Sequence, residues 1–324
     1  MGEIHKLVTL HGRDRARDLV PSEDRYLVDL AAQVLGEEGV GQRGYLYSGF
    51  AMTCLPHRKP KDEGQPWKRQ NGRFRLAIEP GFLVGPTGEY VTDETGADRL
   101  YGVPFGPRAR LILLYLQSEA VKTNSPEVRL GQSMNDWMSR MGVSAGGTSY
   151  AAIRAQSERI SACRITVSWS DDETGRSGFE RANIVGGMMF MPAAGDSRQG
   201  SLWDETARLS PEFYQSLRDH PLPVNETAIR GIKNSSLSLD VYVWLCYRLK
   251  AVKKDTPVSW AALHSQFGSD VAQTWKFKQS FLPALKEALA VYPDARVDLD
   301  DKRGLILRPS RPAVPEAEAR KLLG

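Results

Sequence analysis

Metal-assisted or nucleophilic catalysis needs its groups close together, and the reactive side chains of this sequence stand apart. The five histidines, His5, His11, His57, His220 and His264, are single and make no HxH pair. An enzyme that nicks DNA with a tyrosine and a metal held by paired histidines would therefore lack its ligands, and the eleven tyrosines read as core and interface residues. Cys54, Cys163 and Cys246 are widely spaced and form no CxxC. That argues against a thiolate zinc site or a disulfide framework and fits a reducing cytoplasm. The segment GVSAGGTS at 142–149 is glycine-rich but lacks the GK[ST] ending of a phosphate-binding loop, so it reads as the turn before a helix. Asp171, Asp172 and Glu173, like Asp298, Asp300 and Asp301, fall at expected hairpin ends, where acidic turn residues are common. The expectation is a protein that is not an enzyme, with no cofactor and no metal.

Binding chemistry is better supplied. The net charge of the 324 residues is only +4, but residues 57–76 carry seven Lys or Arg against two carboxylates, and residues 247–278 carry six against two. Clustered cations on a protein whose remainder is net negative suit a polyanion, although either run alone is equally the pattern of a solvated face. Within and beside these runs lie side chains suited to a duplex. Gln273 and Gln279 fit adenine edges, and Lys276 and Lys278 fit guanine or phosphate, with ideal helix spacing bringing Lys278 near the apolar side. Thr148 and Ser149 start another helix and would meet phosphate or base, with Arg154 and Arg159 alongside. Arg176, and Lys302 with Arg303, sit at the tips of two expected hairpins and would touch the DNA backbone or minor groove. For each of these taken singly, an ordinary solvated side chain is the competing reading.

The elements that must hold these groups repeat. After Pro107, Ala109, Ile112, Leu113, Leu116 and Ala120 recur at helical spacing, while Leu111, Leu114 and Tyr115 make the other side apolar too. That second face is either a dimer contact or a core face packed on the preceding lobe. SPEVRLG suggests a short strand, and SMNDWMSRMG a helix with Ser133 and Asp136 as a capping box and Gly142 as its stop. A helix from Thr148 and two strands, RITVSWS and FERANIVGGMMFM, follow. The same order returns later: SLSLDVYVWLCYRLKAV, TPVSW, AALHSQFG, a long helix bearing Phe281, Leu282, Leu285, Ala288, Leu289 and Tyr292 on one face, and the hairpin ARVDLDD to GLILRPS. Pro283 falls on the opposite face and would bend that helix or mark its start.

Helix, strand, helix, helix, hairpin is the order of a winged helix, whose third helix enters the major groove. The expected fold class is therefore α+β, with tandem winged-helix domains preceded by a small β-rich N-terminal lobe. The expected division is an arm with one helix at 1–43, a β-rich lobe at 44–106, a first winged helix at 107–195, a linker at 196–223, a second winged helix at 224–310 and a flexible tail at 311–324. No apolar run approaches the roughly 20 residues of a membrane span and the N-terminus has no leader-like apolar core, so a cytoplasmic location is expected.

The segments GVPFGPRARLILLYLQSEAV, RLGQSMNDWMSRMG, SLSLDVYVWLCYRL and ALAVYPDARVDL resemble the plasmid-encoded RepA-type replication initiators over roughly residues 44–310. The resemblance implies a protein that binds repeated double-stranded sites, called iterons, at a plasmid origin. It further implies recruitment of the host replication initiator and helicase, a homodimer formed through the first winged helix, and repression of its own promoter. A chromosomal transcription regulator would use the same modules, and direct rather than inverted repeats beside the gene would tell the two apart.

Overall fold

The computed structural model describes residues 2–36, 43–85, 88–171, 176–186, 206–268 and 271–315. Two compact units divide the chain, and the first is discontinuous: it comprises 1–57 and 221–324, and the second is 58–220. The architecture is mixed α and β with several small antiparallel sheets.

The N-terminal part of the first unit opens with helices α1 (Glu3–Asp18) and α2 (Arg25–Gly36), strand β1 (Arg43–Tyr47) and a short helix α3 (Gly49–Met52). Two helices thus stand where the sequence suggested one. The charged first segment is a helix that buries His5 and Ala16 and kinks at Gly12, whose φ is +74°. Arg13 and Arg17 of α1 both pair with Asp29 of α2. Leu27, Val28 and Ala31 form the buried stripe of α2 at the spacing of one helix face.

The second unit begins with a hairpin, β2 (Trp67–Asn71) and β3 (Phe74–Glu79), turned at Gly72 with φ +56°. Short strands β4 (Gly81–Phe82) and β5 (Leu100–Tyr101) pair with each other. Helix α4 (Gly106–Lys122) starts on Gly106 with Pro107 in its first turn, followed by β6 (Glu127–Arg129) and α5 (Met134–Arg140). Ser133 caps α5 by accepting from the Asp136 backbone N–H at 3.2 Å, while the Asp136 carboxylate accepts from Gln132. Then come α6 (Gly147–Ala162), strands β7 (Arg164–Asp171), β8 (Arg176–Asn183) and β9 (Thr206–Arg208), and α7 (Pro211–Asp219). The hairpin β7–β8 is widened by β3 and β2 into a four-stranded sheet in the order β2-β3-β7-β8, and β6 pairs with β9. Residues 206–219, expected within a linker, are therefore built into this unit. Both sides of α4 are covered: Leu111, Ile112, Leu113, Leu114 and Leu116 are all buried.

The chain returns to the first unit through β10 (Pro221–Asn225), which pairs antiparallel with β1, Arg43 facing Asn225 and Tyr47 facing Pro221. Residues 44–57 of the lobe expected at 44–106 therefore belong to the first unit. Asn225 caps α8 (Glu226–Gly231), Ser235 caps α9 (Ser236–Ala251), and Ser259 links β11 (Thr256–Ser259) to α10 (Trp260–Phe267) by capping it. The long α11 (Thr274–Ala290) runs through Pro283 without breaking, and strands β12 (Val297–Asp300) and β13 (Gly304–Leu307) close the unit in a sheet ordered β11-β13-β12. An aromatic cluster fills its core: Trp244 against Phe267, and Phe281 against Phe267, Phe277 and Trp260, with ring centroids 5.1 to 6.0 Å apart. The segment after β13, expected to be loose, is seated as far as Val314, which is 5% exposed, and the Tyr292 hydroxyl donates to the Arg311 carbonyl. No described helix is long and apolar enough to cross a membrane.

Candidate nucleic-acid interface

The element order of the second half, α9-β11-α10-α11-β12-β13, leaves one side of α11 bare. Phe277, Phe281, Ala284, Leu285 and Ala288 turn inward, and the 3.6-residue period then sends Gln273, Lys276, Gln279, Ser280 and Pro283 to solvent. Trp275 stands among them, 55% exposed, with the Lys276 ammonium 5.3 Å from its ring. Periodicity did not point to this tryptophan, since an indole is ordinarily assigned to a core. The start of α11 is held by His264, which stacks on Phe277 at 5.0 Å and contacts the Val271 carbonyl at 2.6 Å.

The hairpin tip is fixed beside this helix. The Lys278 ammonium donates to the Asp301 carbonyl at 2.7 Å and lies 4.4 Å over the Trp260 ring, and the Trp260 indole N–H donates to the same carbonyl at 3.0 Å. Lys278, expected to reach guanine or phosphate, is instead half-buried and holds the tip in place, because its position beside the apolar side of the helix brings its ammonium onto the Asp301 carbonyl and the Trp260 ring. The Asp300 carboxylate accepts from the backbone N–H groups of Lys302 and Arg303, each at 2.9 Å, and these bonds hold its pKa below the ordinary carboxylate value. Tied down in this way, the turn leaves the Lys302 and Arg303 side chains exposed. Gly304 has φ +133°, and a methyl group there would overlap the Val258 carbonyl, so only glycine lets β13 lie this close to β11.

In the second unit the start of α6 offers less. Thr148 is exposed and Ser149 half-buried, while Ala151 and Ala155 complete a narrow, uncharged edge. Arg154 pairs with Glu158 at 3.3 Å. Arg159 corrects the expectation of a surface contact: only 13% exposed, it pairs with Glu63, donates to the Val103 carbonyl and stands over the Phe105 ring. A carboxylate 96 positions earlier captures it, which spacing along one helix cannot show. Arg176 opens β8 opposite Asp171, and its side chain lies outside the described residues. Leu111 and Leu114 are 3% and 8% exposed within the single chain, so of the two expectations for this face the core replaces the dimer contact. Tyr115 is half-buried, packs edge-on against Trp137 and donates to the Arg129 carbonyl.

One group of donors among the described residues comes within reach of a common ion. Cys54, His57 and Asp240 place ligand atoms within 4.8 Å of one another, with His57 Nδ1 3.6 Å from the Asp240 carboxylate. The C-x2-H spacing of the first two was visible in the sequence, but the third ligand comes from α9. The arrangement is that of an imidazole beside a carboxylate with a neighbouring thiol.

Comparison with known proteins bears on residues 103–262, which match the family described as "Plasmid encoded RepA protein". The fold is similar to that of a crystal structure of domains 2 and 3 of RctB, with a TM-score of 0.51 and 14% identity over 81% of this chain and 98% of that one. A second crystal structure of RctB domains 2-3 aligns with a TM-score of 0.46 and 13% identity over 80% of this chain and 96% of that one. No curated protein matches the chain.

Proposed function

From the premise that the chain carries a domain of the plasmid-encoded RepA family, we propose that it is a plasmid replication initiator that binds repeated duplex sites at its origin through two winged-helix modules. The first module is α4 to β8 and the second α9 to β13. The observation that supports this most is the pairing of the bare edge of α11 with the adjoining hairpin tip, tied together by the bond from Lys278 to Asp301. A helix edge of Gln273, Lys276 and Gln279 is suited to base edges, and Lys302 and Arg303 to phosphate or the minor groove. Trp275 adds an apolar surface that a thymine methyl or a sugar would cover.

The first module is assigned a lesser share of base reading. Thr148 and Ser149 are donors at a helix start, where phosphate is favoured, and Arg154 lies beside them with part of its charge answered by Glu158. Recruitment of the host initiator and helicase, formation of a homodimer and repression of the chain's own promoter are proposals that rest on the family. With Leu111 and Leu114 buried within the single chain, the homodimer is proposed through a surface other than these two side chains.

Footprinting of the full chain on the DNA flanking its gene tests the proposal. Protected direct repeats in phase with the helical turn support an initiator. A single protected inverted repeat indicates the transcription regulator instead, and absence of any protected site at low salt overturns both.

A further inference from the structure

We infer that the solvent face of the four-stranded sheet in the second unit is a further, sequence-independent seat for the phosphate backbone of duplex DNA; this rests on the DNA-binding reading above. Register fixes which side chains share that face, because antiparallel partners point the same way. Lys68 lies opposite Ala77 and Gln70 opposite Arg75. Arg75 then faces Ser168, Ala77 faces Thr166 and Glu79 faces Arg164, and on the last strand Thr166 faces Arg181 and Arg164 faces Asn183. The alternate residues Leu76, Ile78, Ile165 and Val167 are buried, so the first set is the outer face.

Each of the four strands contributes one cation to it: Lys68 from β2, Arg75 from β3, Arg164 from β7 and Arg181 from β8, all exposed. Glu79 is the one described carboxylate on the face, and Arg181 pairs with it at 2.8 Å. No ion pair joins Lys68, Arg75 or Arg164 to a described carboxylate. A face kept only for solubility intersperses both signs, whereas this one sets cations among neutral hydrogen-bonding groups, Gln70, Thr166 and Ser168. At roughly 4.8 Å between strands, Lys68 and Arg181 stand about 14 Å apart, close to the major-groove width of about 12 Å that separates the two phosphate chains of a duplex. Charge complementarity and this span select duplex backbone as the occupant, and such contacts carry no sequence information.

The test compares the full chain with a triple variant, Lys68→Gln, Arg75→Gln and Arg164→Gln, by measuring affinity for origin duplex and for unrelated duplex across a salt series. At roughly 0.9 per phosphate contact, the slope of log affinity against log salt is expected to shrink by up to about 2.7 units on both duplexes, leaving their affinity ratio unchanged. Lys68→Arg with Arg75→Lys and Arg164→Lys should restore the slope. An unchanged slope in a folded triple variant, judged by its thermal melt, overturns the inference while leaving the proposed function standing. Loss confined to a single-stranded oligonucleotide also overturns it, and failure of the unmodified chain to bind any duplex overturns both.

Discussion

Two lysines separated by a single residue have different work on α11. Lys276 is exposed, whereas Lys278 is committed to the Asp301 carbonyl and the Trp260 face. Lys276→Ala and Lys302→Ala should each lower the salt slope of origin binding by about 0.9 with the melting temperature unchanged. Lys278→Ala should instead destabilise the fold by on the order of 1 kcal/mol, since it removes a charged hydrogen bond and a cation–π contact at a half-buried site. Thermal melts and salt-dependent binding on the same samples separate the two outcomes. An exposed aromatic at position 275 predicts a third pattern. Trp275→Ala should weaken binding at all salt concentrations alike, with stability changed by less than about 0.5 kcal/mol, because a side chain 55% exposed contributes little to the core.

At the scale of elements, a glycine and a histidine stand where two elements approach closely. Gly304→Ala forces a side chain into φ +133° and against the Val258 carbonyl, so a loss of about 1 to 3 kcal/mol is expected, with the tip cations displaced and DNA affinity lowered as a consequence. His5 joins α1 to α11 through a 2.8 Å contact with the Ala290 carbonyl, and burial lowers its pKa below the ordinary 6.5. The folded state therefore resists protonation, and stability should fall as the pH drops from 6.5 toward the depressed folded value, where the unfolded chain takes up the proton first. A melt series on the parent and His5→Gln checks this, the variant losing that part of the pH dependence. Helices with a full apolar period were legible in the sequence, α4, α5, α6, α9, α10 and α11 among them, and so were the caps Ser133 and the tip around Gly304. What was not legible was pairing at a distance. Nothing in RGYLY or PLPVN names the other as partner, and β3 joins β7 across 85 residues between Glu79 and Arg164, because strand pairing is decided by packing and register rather than by local pattern. The same limit hid the capture of Arg159 by Glu63.

For the whole molecule, the consequence of distant pairing is that the second half cannot be cut free as its sequence boundaries suggest. Among the described residues strand β1 is the one partner of β10 in a two-stranded sheet, and α2 packs on α8 and α11. Gln266 of α10 donates to the Ala51 carbonyl, and Ser236 of α9 donates to that of His57. Removing residues 1–57 would leave Leu222, Val224, Ile229 and the underside of α11 facing water, at a cost of about 25 cal/mol for each square ångström of apolar surface exposed. Since native domains are stable by only about 5 to 15 kcal/mol, a chain of 221–324 alone should be unfolded or aggregated, whereas the same chain supplied with 1–57 through a short flexible linker should fold and bind origin duplex. Far-UV circular dichroism and a binding assay on the two proteins make the comparison. A cooperative melt and unchanged affinity for 221–324 alone would mean that the N-terminal segment only decorates a unit complete without it, and the discontinuous division of the chain would have to be abandoned.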